Sequence, residues 1–155
     1  MRNHEIRQSI ISLLKSTGRK GIDTTIAYLE NSDFFRTRCH SHHRYFGGLA
    51  RHSLEACRYA LANAGSLPES SVIIATLLHD VCTSKSLETT GIGGHGRRSV
   101  SILRNVCGLS LTKDEWEAIR LHMHGNAPQM ETNHLAALVN RADHVSAGGR
   151  CKLPA

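Results

Sequence analysis

The pairing most able to do chemistry in this chain is His79 beside Asp80, which stands in the apolar run Ala75-Thr76-Leu77-Leu78-His79-Asp80-Val81. Burying a carboxylate without compensation costs several kcal/mol, so a polar pair in such a run needs a partner. A metal ion is one of the few partners that satisfies an imidazole and a carboxylate together. The pair therefore indicates a metal site.

Three more polar residues are predicted to point inward from apolar helix faces. Asp143 follows a valine by four residues, and residues three or four apart share one face of a helix. The same test places His52 and His122 on inner faces of two other helices. Taken singly, each is more often a hydrogen-bonded core residue than a ligand. Together they favour one polynuclear site, and imidazole with carboxylate suits iron, manganese, cobalt, nickel or zinc better than calcium or magnesium.

The elements that must position these side chains are all predicted to be helices. Apolar residues recur at helical spacing along the chain, and no segment shows the alternation of a half-buried strand. The predicted helices lie near residues 6–14, 22–29, 49–64, 68–80, 100–106, 116–122 and 135–147. The helix from residue 68 is apolar nearly all round and should be central.

Helix caps and loops complete the predicted outline. Thr112 and Glu115 form a capping-box pattern, and Thr132 or Asn133 can cap the last helix. The polar stretch 31–48 is predicted to be partly irregular, and the glycine-rich stretch 83–96 is predicted to be a loop over the site.

Composition bounds the class of protein. The 155 residues, 40% hydrophobic and 21% charged, predict one globular domain over residues 1–155. No apolar run approaches the roughly 20 residues that span a bilayer, and no signal-peptide core follows the N-terminus, so we expect a cytoplasmic protein off the membrane. Five scattered cysteines, without a Cys-x-x-Cys pair, predict reduced packing thiols. A net charge of +6 favours an anionic ligand. Because only 5% of the residues are aromatic, there is little to stack single-stranded bases, which argues against nucleic-acid binding.

The polar residues also carry a family resemblance. The segments that carry it are Gly47-Gly48-Leu49-Ala50-Arg51-His52-Ser53-Leu54-Glu55, Leu77-Leu78-His79-Asp80 and Arg141-Ala142-Asp143, followed by the intervening His95-Gly96-Arg97-Arg98 and Ala118-Ile119-Arg120-Leu121-His122-Met123. The chain resembles the HD superfamily of metal-dependent phosphohydrolases over about residues 45–147, with residues 1–44 as N-terminal helices and a loop. The resemblance implies an all-α, compact multi-helix bundle with a metal site between its central helices.

The resemblance also implies a ligand set and a reaction. The four ligands of the family's basic site match His52, His79, Asp80 and Asp143, and the histidines added in two-metal members match His95 and His122. In the two-metal version one divalent transition-metal ion is bound by His52, His79 and Asp143, the other by His95 and His122, and Asp80 is the bridging, catalytic carboxylate. The implied activity is hydrolysis of a phosphoester, of a nucleotide or related small molecule, by a metal-activated hydroxide.

One departure concerns the substrate. Many family members have a lysine three residues after the motif aspartate, where this chain has Thr83. Either Lys85 reaches the same place from two residues further on, or the contact with substrate phosphate is lost. Arg97 and Arg98 are further candidates for a phosphate contact, with a solvated helix start as the equal alternative. The dense cluster of His40, His42 and His43 is a solvated loop or a lip that contacts substrate.

Three other readings stay open from the sequence. The first is a single-metal phosphohydrolase in which His95 and His122 contact the substrate. The second is a di-iron oxygenase, a chemistry that some six-ligand relatives perform. The third is a non-catalytic sensor that binds a nucleotide and contacts a partner protein.

Overall fold

Helices account for all the regular structure in residues 1–82 and 94–154, the part of the chain that the computed structural model describes. Within those ranges there is no strand, which confirms the all-α prediction. In chain order the elements are α1 (Asn3–Ser16), α2 (Ile22–Asn31), α3 (Gly48–Ala62), α4 (Glu69–Leu77), α5 (His95–Ser101), a π-helix (Ile102–Val106), α6 (Lys113–Leu121), α7 (Gln129–Thr132) and α8 (His134–Ala147).

The centre of the bundle is formed by α3, α4 and α8. Helix α3 packs against both α4 and α8, while α6 packs against α4, α5 and α8 and α1 covers one side of α3 and α4. The residues of α4 from Ser71 to Leu77 are all buried, as expected of a helix that is apolar nearly all round. No helix in the described residues is both long enough and apolar enough to cross a membrane.

Helix α4 ends at Leu77, so the prediction that His79 and Asp80 lie on this helix is wrong. A continued helix would hydrogen-bond the amide of Asp80 to the carbonyl of Thr76. Instead, Nδ1 of His79 hydrogen-bonds that carbonyl oxygen at 2.7 Å. A side chain that occupies a carbonyl of the last turn competes with the next helical hydrogen bond, and the pair therefore lies in the turn after the helix.

Helix α6 ends in the same way. It stops at Leu121, and Nδ1 of His122 lies 2.8 Å from the carbonyl oxygen of Ile119, again three residues earlier. His122 is therefore the C-cap of the predicted helix and not part of its body. In both helices the polar side chain is placed by the end of the helix.

The region after residue 94 also differs from the prediction. The predicted loop includes His95 and Gly96, which are instead the first two residues of α5. Of the predicted helix over 100–106, only the first two residues belong to α5, and the rest form the π-helix. The rest of the predicted loop, from residue 83 to residue 93, lies outside the described residues. A side chain on Gly96 would have its Cβ 2.2 Å from the carbonyl oxygen of Arg120, so only glycine allows α5 to pack this closely on α6.

The predicted capping box at the start of α6 is present and is tied to the N-terminal helices. Thr112 accepts from the amide of Glu115, and the Glu115 carboxylate accepts from the amide of Thr112 at 2.9 Å. The same carboxylate is fully buried and accepts two hydrogen bonds from Arg19, at 2.6 and 2.7 Å, and one from Ser71 at 2.7 Å. One carboxylate thus joins three parts of the chain: the start of α6, helix α4 and the segment between α1 and α2.

We expect Glu115→Gln to lower the free energy of unfolding by about 3 kcal/mol, because it leaves the Arg19 guanidinium without a charged partner. Burial alone would raise the pKa of Glu115, but Arg19 and Ser71 lower it below its usual 4.5. The stabilisation is therefore present at neutral pH, and the difference between the two proteins should shrink as the pH falls through that lowered pKa. Urea denaturation at pH 7 and at pH 4 measures both. Asp114→Asn, an exposed neighbour in the same turn, is the matched control, and an equal effect of the two changes would contradict the assignment.

Candidate metal centre

The predicted ligands come from five helices, α3, α4, α5, α6 and α8, whose ends or inner faces meet at one point. His52 lies on α3 and Asp143 on α8, and the rings of His52, His79 and His122 are fully buried. His79 and Asp80 follow the last turn of α4. His95 is the first residue of α5.

One half of the centre is formed by His52, His79 and Asp143. The Nε2 atom of His52 lies 3.0 Å from Oδ1 of Asp143 and 3.3 Å from Nε2 of His79. The Nε2 atom of His79 lies 3.7 Å from the same carboxylate oxygen. Three ligand atoms therefore face a common point, at distances that one metal ion can satisfy.

The other half is formed around Asp80. Its Oδ2 lies 3.5 Å from Nε2 of His79, while its Oδ1 lies 3.2 Å from Nε2 of His122 and 3.7 Å from Nδ1 of His95. The two oxygens of Asp80 thus face different histidines. This is the arrangement expected of a carboxylate that lies between two binding positions.

Helix ends determine which nitrogen of each ring faces the centre. In His79 and His122 the Nδ1 atom contacts a backbone carbonyl oxygen, which can only accept a hydrogen bond. Nδ1 must therefore carry a proton, and in the neutral ring Nε2 has its lone pair directed at the centre. The carbonyls come from the last turns of α4 and α6, where the helix leaves such groups without a backbone donor.

A second set of side chains, which the sequence reasoning missed as functional, orients His52. Nδ1 of His52 lies 3.0 Å from the hydroxyl oxygen of Ser146, and that hydroxyl lies 3.2 Å from Oε2 of Glu55. Because the carboxylate only accepts, Ser146 donates to Glu55 and accepts from His52, which again leaves the Nε2 lone pair for a cation. The available signal was the position of Glu55, three residues after His52 and therefore on the same side of the helix.

The histidine cluster before α3 forms a lip over the centre. The ring of His42 lies 4.5 Å from that of His52, and Nε2 of His43 lies 2.8 Å from Oε2 of Glu55. Burial, together with the neighbouring His52 and His43, lowers the pKa of His42 to about 4, so its ring is neutral at pH 7. Of the two alternatives for this cluster, the geometry favours the lip: His40, although exposed, and His42 both line the cavity over the centre, while His43 packs on Glu55.

His43 itself adopts a left-handed backbone conformation, with φ of 45°, which is uncommon for a residue with a side chain. Its carbonyl oxygen packs on Gly48, at the start of α3, and a Cβ on that glycine would lie 1.9 Å from it. The lip is therefore seated directly on the first turn of the helix that carries His52.

The electrostatics of the centre favour added positive charge. Burial alone would lower the pKa of His79, but Asp80 and Asp143 outweigh burial and raise it to about 9. Burial lowers the pKa of His52 against the pull of Asp143. The pKa of each carboxyl group would be raised by burial, but the surrounding imidazoles lower both well below their usual value. Two ionised carboxylates therefore attract either a proton or a metal cation into the site.

Two buried polar atoms of the centre have no hydrogen-bond partner within the described residues. Oδ1 of Asp80 and Nε2 of His122 are shielded from solvent and hydrogen-bond to no described residue, although they lie 3.2 Å apart. With His122 neutral the two atoms are both acceptors, and the contact is then costly unless a proton or a metal cation lies between them. The donor set of imidazole nitrogens and carboxylate oxygens fits a divalent transition metal.

A cavity opens over the centre and is where a substrate would approach. Its wall includes Asp80, His95 and Asp143 from the centre, His42 from the lip, and the exposed Met123 on the opposite side.

The two arginines that are predicted to contact the substrate do not line this cavity. Arg97 is exposed and lines a neighbouring groove beside Met123, and Arg98 does not line the cavity. Lys85 lies outside the described residues. His124 and His134 are exposed and contribute no atom to the centre, while His144 lies at the mouth of the cavity.

The family model described as "HD domain" matches residues 49–148, a range that includes all six predicted ligands. No curated protein and no solved structure matches the chain. Because the matched range covers well over half of the 155 residues, the chain belongs to the HD domain family.

Proposed function

We propose that this protein is a metal-dependent phosphohydrolase that cleaves a phosphoester, of a nucleotide or a related small molecule. HD domains belong to a superfamily of metal-dependent phosphohydrolases. The observation that carries the proposal is the buried Asp80–His122 contact, in which two acceptor atoms face each other without a hydrogen bond. A cluster whose purpose was structural would satisfy these atoms with donors.

The six ligands fit two ions. His52, His79 and Asp143 would hold one ion, and His95 and His122 the other, with one oxygen of Asp80 facing each position. The separate contacts of Oδ1 and Oδ2 of Asp80 support this division. His95, whose Nδ1 lies 3.7 Å from Asp80, is the most loosely placed of the six.

Divalent ions bound here would supply the Lewis acidity that polarises a phosphoryl group and that makes a water molecule acidic at neutral pH. The protein's own residues supply the rest. The two carboxylates are ionised before a cation arrives, and the Nδ1 hydrogen bonds fix the orientation of the rings, so a metal ion would replace the proton that the raised pKa keeps on His79. The lip covers one side of the cavity, which limits access of bulk water to the reacting group.

Phosphate contacts from Lys85, Arg97 and Arg98 remain part of the proposal. Arg97 lies two residues after His95 on α5. A substrate that extends from the centre toward Met123 would therefore contact the Arg97 side chain.

We expect Asp80→Ala to lose bound metal and turnover together, because Asp80 would contribute to both ions. Metal content is measured by mass spectrometry, and phosphate release is measured with a panel of phosphoesters after reconstitution with iron, manganese, cobalt, nickel or zinc. The loss of rate should exceed about 100-fold, since even changes behind the ligands of metal sites cost 10–100-fold.

Asp23→Ala, an exposed aspartate on α2, is the control and should keep both properties. Unchanged turnover in Asp80→Ala would contradict the site. Oxygen consumption by the metal-loaded protein, without phosphate release from any ester, would contradict the proposed reaction.

The number of ions has its own test. We expect two ions per chain in the unaltered protein and one in His122→Ala, because the set of His52, His79 and Asp143 stays intact in that variant. His134→Ala, which removes an exposed histidine, should still bind two. A single ion in the unaltered protein would be compatible with a hydrolase but would contradict a site in which Asp80 lies between two ions.

Glu55→Gln tests the orientation of His52 without removing a ligand. The amide can donate to Ser146, which would then donate to Nδ1 of His52 and move the ring's proton to Nε2. We expect metal affinity to fall about 10- to 100-fold by competition with a fluorescent chelator. Glu131→Gln, an exposed glutamate on α7, should have no effect. An affinity equal to that of the control would show that Glu55 does not set the tautomer.

A further inference from the structure

Three arginines line a groove on the face of the molecule next to the cavity. Arg97 on α5, Arg104 on the π-helix and Arg120 on α6 all contribute to its wall, and we call this the arginine groove. Arg97 and Arg104 are exposed, so their guanidinium groups are accessible to a ligand.

The charge in this groove is not neutralised by the described part of the chain. Among the residues whose placement is known, no carboxylate lines the groove, and none lies within ion-pair distance of Arg97, Arg104 or Arg120. Some arginines elsewhere do pair, as Arg2 does with Glu5. Three like charges on adjacent elements repel one another, and an anion between them removes that cost.

Arg120 is held in a fixed position. Its guanidinium carbon lies 4.7 Å from the centre of the Trp116 ring, a cation–π contact. Its Nε is shielded from solvent and donates to no described residue. The guanidinium therefore has a fixed orientation and, within the described residues, an unpaired charge, and both properties favour a bound anion.

A second depression, which shares Arg97 and Arg120 with the arginine groove, lies between the groove and the cavity over the metal centre. Met123 lines both this depression and the cavity. The close packing of Gly96 on Arg120 fixes α5 against α6, so His95 at the centre and Arg97 in the groove are carried by one rigidly seated helix turn.

We propose that the arginine groove binds a second phosphate of the substrate whose first phosphate is cleaved at the metal centre. The substrate is then a molecule with several phosphates, either a nucleoside polyphosphate or a short oligonucleotide, and not a simple monophosphate. The inference rests on the proposed function for the position of the first phosphate. The binding of polyanions by the groove does not depend on it.

The binding test uses fluorescein-labelled phosphorothioate pentathymidylate, which resists hydrolysis, and measures fluorescence anisotropy with the full-length protein. We expect Arg104→Gln to raise Kd about tenfold and to reduce the slope of log Kd against log salt by about one, because one phosphate contact is lost. Arg58→Gln, an exposed arginine on α3 outside the groove, should change Kd less than twofold.

Unlabelled competitors identify the source of the phosphates. Pentathymidylate as the stronger competitor indicates an oligonucleotide, and inorganic triphosphate as the stronger one indicates a polyphosphate. Thymidine monophosphate competing as well as either, or equal effects of Arg104→Gln and Arg58→Gln, would overturn the proposal.

Turnover separates this inference from the proposed function. With the metal-loaded protein we expect Arg104→Gln to lower the ratio of kcat/KM for thymidine tetraphosphate to that for thymidine monophosphate about tenfold, and Arg58→Gln to keep the ratio. An unchanged ratio in Arg104→Gln would overturn the groove as a substrate site. If the unaltered protein released no phosphate from any ester, the proposed hydrolase function would be wrong. The anisotropy measurement would still decide whether the groove binds phosphates.

Discussion

The structure depends on hydrogen bonds from two histidine rings to the carbonyls of helices that have just ended. His79 and His122 each use Nδ1 to contact the residue three positions earlier, and this contact both stops the helix and directs Nε2 inward. The remaining architecture follows from the need to bring α4 and α6 together at these ends. Helices α3 and α8 add His52 and Asp143 from their inner faces, so four helices meet where their polar groups are buried.

Much of this could be predicted from the sequence because its signals are local. The capping box of Thr112 and Glu115 and the apolar α4 were recognisable from spacing alone, and both are present. The end of α4 at Leu77 could not be predicted, because the residues beyond it continue the apolar pattern. Only the hydrogen bond from the His79 ring to the carbonyl of Thr76 ends the helix there. The π-helix has no residue pattern that distinguishes it from an α-helix. The six candidate ligands were predicted from inward spacing and family resemblance, and the structure brings their side chains close together.

Residues that act through other residues were missed for a different reason. Glu55 is buried by a contact with a hydroxyl on α8, ninety-one positions away. Its role depends on which helices pack together, and no local pattern shows that. The arginine groove is similar, because Arg97, Arg104 and Arg120 become neighbours only when α5 packs on α6.

The contact between Gly48 and the His43 carbonyl limits how this chain can vary. Any side chain at position 48 would push the carbonyl away, and the His43 ring would then lose Glu55, which also holds the hydroxyl beside His52. Position 48 must therefore stay glycine whatever residue occupies position 43, and the number of residues between them cannot drift. Among homologous sequences, insertions and deletions should avoid this five-residue step even where the loop before it differs in length.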